Sequence, residues 1–125
     1  MKVKVAAVQM SADIGGRAAN VERAEGLLRQ AARDGAQICV LPELALDEFF
    51  PVYKDTRYYA YAEELDGPAV SRFRALSREL GIYLALPLFE KSLIGTYYNS
   101  LVLLTPEGEI GAVYRKVHVP CTRSY

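Results

Sequence analysis

The sequence predicts an α/β chain: a mostly parallel sheet with helices on one face and a β-hairpin at its C-terminal end. Three observations carry that expectation. Short, nearly continuous apolar runs recur at residues 3–8, 38–41 and 82–86, as strands covered on both faces require. Between them lie two stretches with apolar residues at three- and four-residue spacing, the mark of amphipathic helices. After the third run, two further strand-like segments flank a turn rich in proline and glycine. Strand, helix, strand, helix, strand and hairpin is the order of an α/β layer.

The first strand covers residues 3–8, rich in valine. Val21, Ala24, Leu28 and Ala31 then form the inward stripe of a first helix, which Gly35 should close. Residues 38–41 form a second strand, stopped by Pro42 because proline cannot donate to a sheet ladder. Residues 47–64 are aromatic-rich and contain Pro51, a pattern for a loop carrying a short helix. Pro68 is pre-set for a first helical position, with Ala69, Phe73, Leu76 and Leu80 facing inward and Gly81 ending the helix. A third strand spans 82–86, and two more span 97–104 and 110–119. Thr105-Pro106-Glu107-Gly108 between the last two suits a β-turn, so that pair is expected to be antiparallel. Two helices on one side leave the other face of the sheet to be covered by something else.

Composition narrows the possible functions. The chain has 125 residues, 51% of them hydrophobic and 24% charged, an ordinary globular mixture for one domain or part of one. Fifteen basic residues balance fifteen acidic ones without clustering, which argues against nucleic-acid and anionic-membrane partners. Cys39 and Cys121 are too few for a disulfide scaffold or a zinc cluster. The apolar start breaks at Gln9, too early for a signal peptide, and no run approaches a bilayer span. The expected compartment is the cytoplasm.

Several side chains invite a chemical reading. Glu43 follows the second strand directly, where α/β folds commonly place functional groups; the alternative is an ordinary loop glutamate. Lys116 lies in the last strand, where alternation groups it with Ile110, Ala112, Tyr114 and His118. It is either a site residue or an edge-strand charge that discourages aggregation. His118 reads as a structural histidine. Cys39 lies about 13 Å along the strand from Glu43, too far for that carboxylate to take its proton, and reads as core. Cys121 has no assignable base. Phe49, Phe50, Tyr53, Tyr58, Tyr59 and Tyr61 either line a pocket or serve packing or an oligomer surface. Gly15-Gly16 completes neither a dinucleotide fingerprint nor a phosphate loop. That lack disfavours a flavodoxin-like nucleotide binder, whose element order would otherwise fit.

Five segments, in order along nearly the whole chain, together resemble a known family. They are Val5-Ala6-Ala7-Val8-Gln9-Met10, Val40-Leu41-Pro42-Glu43-Leu44, Leu65-Asp66-Gly67-Pro68, Tyr98-Asn99-Ser100 and Tyr114-Arg115-Lys116-Val117-His118-Val119-Pro120. The chain resembles the carbon–nitrogen hydrolase (nitrilase) superfamily. Its Phe-Phe-Pro loop, Leu-Asp-Gly-Pro and Tyr-Tyr-Asn-Ser are most similar to N-carbamoylputrescine amidase-type amidohydrolases. The resemblance implies an α-β-β-α sandwich, a homo-oligomer, no metal or organic cofactor, and hydrolysis of a small amide or carbamoyl substrate by a Glu–Lys–Cys triad. By motif match, Glu43 is the expected general base and Lys116 the cation facing the oxyanion.

The resemblance stops at the nucleophile. Family members carry their cysteine on a later strand, and Cys121 does not match that position. A second glutamate that often follows the Lys-x-His-x-Pro stretch is absent as well. Residues 1–125 are therefore expected to be the N-terminal part of the hydrolase domain, inactive alone, with a complementing C-terminal half supplying the second sheet. The alternative is a non-catalytic α/β module that acts by binding or assembly.

Overall fold

The computed structural model describes residues 1–13, 16–53 and 55–119. Its elements, in chain order, are β1 (Val5–Ala7), α1 (Arg17–Arg33), β2 (Ile38–Val40), α2 (Pro68–Leu80), β3 (Tyr83–Lys91), β4 (Tyr97–Leu104) and β5 (Ile110–Arg115). Two short 3-10 turns, Phe50–Val52 and Thr56–Tyr61, sit in the aromatic loop between β2 and α2. No helix among the described residues is long and apolar enough to cross a membrane.

The strands form one sheet in the order β1-β2-β3-β4-β5. β1, β2 and β3 pair in parallel, and β4 runs antiparallel to both β3 and β5. Four strands thus point one way and β4 alone opposes them, as the expected mostly parallel sheet with a terminal hairpin requires. Parallel neighbours need a crossover, and α1 and α2 supply the two crossovers.

Both helices pack on the same face. Val21, Ala24 and Leu28 of α1 and Ala69, Val70, Phe73 and Leu76 of α2 meet Cys39, Leu84, Leu86, Leu88, Val102 and Leu104 in a single core. These are alternate residues of β2, β3 and β4, and their neighbours point to the opposite face. On that face Val5, Val40, Tyr83, Leu101 and Tyr114 are exposed. The two-helix, one-face arrangement is therefore as expected.

Helix ends follow local rules. α1 closes on Gly35 at φ 86°. α2 begins at Pro68, and the Glu63 carboxylate caps it by accepting the amide N–H of Ala69 at 2.7 Å and of Val70 at 3.0 Å.

The last strand differs from its expected form. β5 ends at Arg115, so Lys116 lies one residue past the ladder rather than inside it, although its N–H still bonds the Asn99 carbonyl at 2.9 Å. Leu104 pairs with Ile110 while Leu103 pairs with Ala112. This bulge leaves Gly111 unopposed and resets the alternation. Ile110 consequently packs toward the helices with Val113, not with Ala112 and Tyr114 as uninterrupted alternation predicts.

Candidate active site

β2 and β5 run in the same direction with β3 and β4 between them. At roughly 4.8 Å per strand, about 14 Å separates their axes. The turn after β2 and the long side chains of Glu43 and Lys116 together close that distance. Pro42 ends the ladder, Leu44 adopts a left-handed φ of 52°, and Ala45 N–H closes the turn on the Pro42 carbonyl at 3.1 Å. A leucine in this region carries about 1–2 kcal/mol of strain, held here by burial of Leu44, Ala45 and Leu46. Such stored strain is characteristic of functional turns.

The turn delivers Glu43 to Lys116. Lys116 Nζ donates to Glu43 Oε1 at 2.9 Å, and Asn99 Nδ2 donates to the same oxygen at 2.5 Å. The Lys116 hydrogen bond holds the Glu43 carboxyl below the usual carboxylate range; partial burial opposes it, and Asn99 adds to the lowering. Glu43 is therefore ionised at neutral pH. An ionised carboxylate beside an ammonium can accept a proton, and the ammonium can face developing negative charge.

Beneath this pair lies a second one. Glu90, only 1% exposed, accepts two hydrogen bonds from the Arg115 guanidinium, at 2.9 and 2.5 Å, and one from the Ser100 hydroxyl at 2.6 Å. Arg115 also stacks over the Tyr98 ring at 4.3 Å. Successive residues of a strand point to opposite faces. Tyr98 and Ser100 thus serve the lower pair while Asn99 serves the upper, and Arg115 and Lys116 divide in the same way.

A groove of about 720 Å³ opens beside Glu43, Asn99 and Lys116. Its wall is aromatic: Phe49, Phe50, Tyr53, Tyr58 and Tyr59 from the loop, with Phe89, Tyr97 and Tyr98 from the sheet. Tyr59 and Tyr97 ring centroids lie 4.6 Å apart and those of Phe50 and Phe89 4.9 Å. The loop aromatics thus do both: Phe49, Phe50, Tyr53, Tyr58 and Tyr59 line the groove, Phe50 and Tyr53 also stack on the buried Tyr58, and Tyr61 packs edge-on against Phe50 and Tyr58. Arg17 braces this loop from α1, bonding Asp47, Glu63 at 2.7 Å and the Tyr61 carbonyl at 3.3 Å.

Comparison with known proteins decides the family. The carbon-nitrogen hydrolase family matches residues 4–124. The chain belongs to that family. A citrullinase of Francisella tularensis is 34% identical over 94% of this chain and 41% of its own length. An N-carbamoylputrescine amidase of rice (Oryza sativa subsp. japonica) is 33% identical over 95% of this chain and 39% of its own. The crystal structure of a carbon-nitrogen hydrolase from Helicobacter pylori G27 superposes with a TM-score of 0.88 at 29% identity, covering 94% of this chain and 40% of that one. The chain thus spans about two-fifths of the length of these relatives.

Within this carbon–nitrogen hydrolase chain, the two residues singled out from sequence, Glu43 and Lys116, are in contact. Cys39 is fully buried on the helix side, where burial pushes its thiol up, away from a reactive thiolate. His118 is exposed and has no side-chain partner among the described residues, so it is not the satisfied structural histidine expected. Cys121 lies outside the described residues. No group of three or more His, Cys, Asp or Glu side chains among the described residues is arranged to hold a metal ion. Sequence reasoning assigned no role to Asn99, Glu90 or Arg17. Asn99 lay within a quoted motif, and period-two alternation from Ser100 was the available signal that it faces the site.

Proposed function

We propose that residues 1–125 form the N-terminal part of a hydrolase domain that cleaves a non-peptide C–N bond, in an amide or N-carbamoyl group, with Glu43 as general base and Lys116 as the oxyanion's cation. The observation that carries the reading is the Glu43–Lys116 contact at the edge of an aromatic groove. The nucleophile is a cysteine thiol on a later strand of the complete hydrolase. For an amide, Glu43 takes the thiol proton as sulfur bonds to the carbonyl carbon, and Lys116 faces the resulting oxyanion. The C–N bond then breaks and the leaving amine receives the proton from Glu43. Water, giving its proton to Glu43, resolves the thioester to a carboxylic acid and restores the thiol. Loss of the oxyanion's cation costs about 3–4 kcal/mol of barrier. The working protein is a cytoplasmic homo-oligomer or a complex with the complementing C-terminal half.

The test is an amidase assay on two polypeptides. The pure 125-residue chain is expected to leave N-carbamoylputrescine and a simple aliphatic amide intact. A polypeptide extended through the later cysteine strand is expected to turn one of them over and to lose activity in Glu43→Gln and Lys116→Met. Turnover by the short chain overturns the assignment of the nucleophile and transfers it to Cys121.

The uncovered apolar sheet face supports a second reading, a non-catalytic binding or assembly module. A monodisperse dimer or hetero-complex with no hydrolysis in the extended polypeptide favours it.

A further inference from the structure

We propose that Asn99 is a positioning residue that selects which oxygen of Glu43 faces Lys116 and leaves the other open to exchange a proton; this rests on the hydrolase reading of the pair. Both donors converge on Oε1: Asn99 Nδ2 at 2.5 Å and Lys116 Nζ at 2.9 Å. Among the described residues Oε2 accepts no hydrogen bond. It is the oxygen with room for an incoming proton.

Lys116 alone does not impose that choice. An ammonium on a four-carbon stem is a point charge that can follow either carboxylate oxygen. The last torsion of a glutamate is broad and nearly two-fold, so the carboxylate turns easily. Asn99 is different. Its main chain sits inside the β4 ladder, paired with Phe89 on one side, while its carbonyl receives the Lys116 N–H on the other at 2.9 Å. Its side chain has two torsions, and its NH₂ end must face the carboxylate because the amide oxygen would repel it. One residue therefore fixes the backbone height of Lys116 and the rotation of Glu43 together.

The test follows the Glu43 carboxyl carbon by NMR through an acid titration of the 125-residue chain. Wild type, Asn99→Ala, Asn99→Leu and Lys116→Met are compared. Wild-type Glu43 is expected to titrate below the ordinary carboxylate range. Asn99→Ala should move its midpoint upward while the backbone amide resonances of β4 and β5 stay in place. Asn99→Leu, nearly the same shape but with neither donor nor charge, should move it upward likewise, and it serves as the probe if the alanine variant does not fold. An upward shift in these variants with an unchanged ladder supports the proposal, since a merely structural asparagine would leave the titration where it was. A low wild-type midpoint, raised by Lys116→Met but indifferent to both Asn99 variants, overturns the role of Asn99 and leaves the hydrolase reading standing. A wild-type midpoint in the ordinary range, unmoved by Lys116→Met, overturns both.

Discussion

The two stacked ion pairs differ in the surroundings of their carboxylates, and that difference sets their energetic weight. Glu43 and Lys116 are 45% and 35% exposed in their side chains, so water screens them, and such a pair contributes at most about 1 kcal/mol. Glu90 is almost sealed beneath, held below the ordinary carboxylate range chiefly by the Arg115 hydrogen bond, against the opposing effect of burial. A carboxyl depressed in the folded state binds fewer protons there than when unfolded. Its stabilisation is therefore present above the unfolded value and is lost as pH falls through the folded one. Arg115→Met leaves the buried charge uncompensated. It is expected to cost about 2 kcal/mol at pH 7, less than the roughly 3–5 of a fully enclosed pair because Arg115 is 43% exposed. That cost should shrink on acidification as Glu90 protonates. Lys116→Met should cost under about 1 kcal/mol at either pH. Urea unfolding of both variants and wild type at pH 7 and pH 3 measures each difference. Equal losses at the two pH values would remove Glu90 ionisation from the account.

Elements whose cause is local were readable in advance. The two helices announce themselves by periodicity and stops, and β4 by its apolar run. Features built by long-range contact were not. The Gly111 bulge is fixed by how β5 meets β4; its local mark, a lone glycine inside a strand-like run, does not by itself set the register. Glu43 and Lys116 were visible by position, but Asn99 gained its role only when β4 brought it between them. The start of α2 illustrates the same limit. Pro68 was recognisable as a first helical residue, whereas the cap is Glu63, set by its contact with Gly67. A Cβ on Gly67 would lie 2.2 Å from Glu63 Cγ and 2.6 Å from Oε1. Gly67→Ala therefore expels the carboxylate that caps α2 and pairs with Arg17, and is expected to cost about 2 kcal/mol. Gly26 is the control. It lies exposed inside α1 with nothing within 4 Å of a Cβ. Gly26→Ala should stabilise by about 0.5–1 kcal/mol. Thermal unfolding of the two variants should therefore move in opposite directions.

The whole molecule is a sheet with one finished face. Leu86, 0% exposed, lies in the core on the helix-covered face, whereas Leu101, on the neighbouring strand but the opposite face, is 36% exposed. The same truncation at the two sites measures how far each face is covered in solution. Removing three carbons from an enclosed leucine forfeits transfer energy and leaves a cavity, about 3 kcal/mol for Leu86→Ala. At Leu101 water already reaches the side chain and no cavity can form, so Leu101→Ala should cost under about 1 kcal/mol. Both values come from urea unfolding at low protein concentration, where association is minimal. The comparison carries a second reading because a covering partner makes stability depend on concentration. If Leu101→Ala is cheap when dilute and costs more as protein concentration rises, a second copy of the chain covers the open face. If it is as costly as Leu86→Ala at every concentration, the face is closed within the single chain and the one-layer architecture is wrong. A uniformly cheap Leu101→Ala means that the open face stays exposed, and the apolar side chains arrayed there are then those a second sheet would bury.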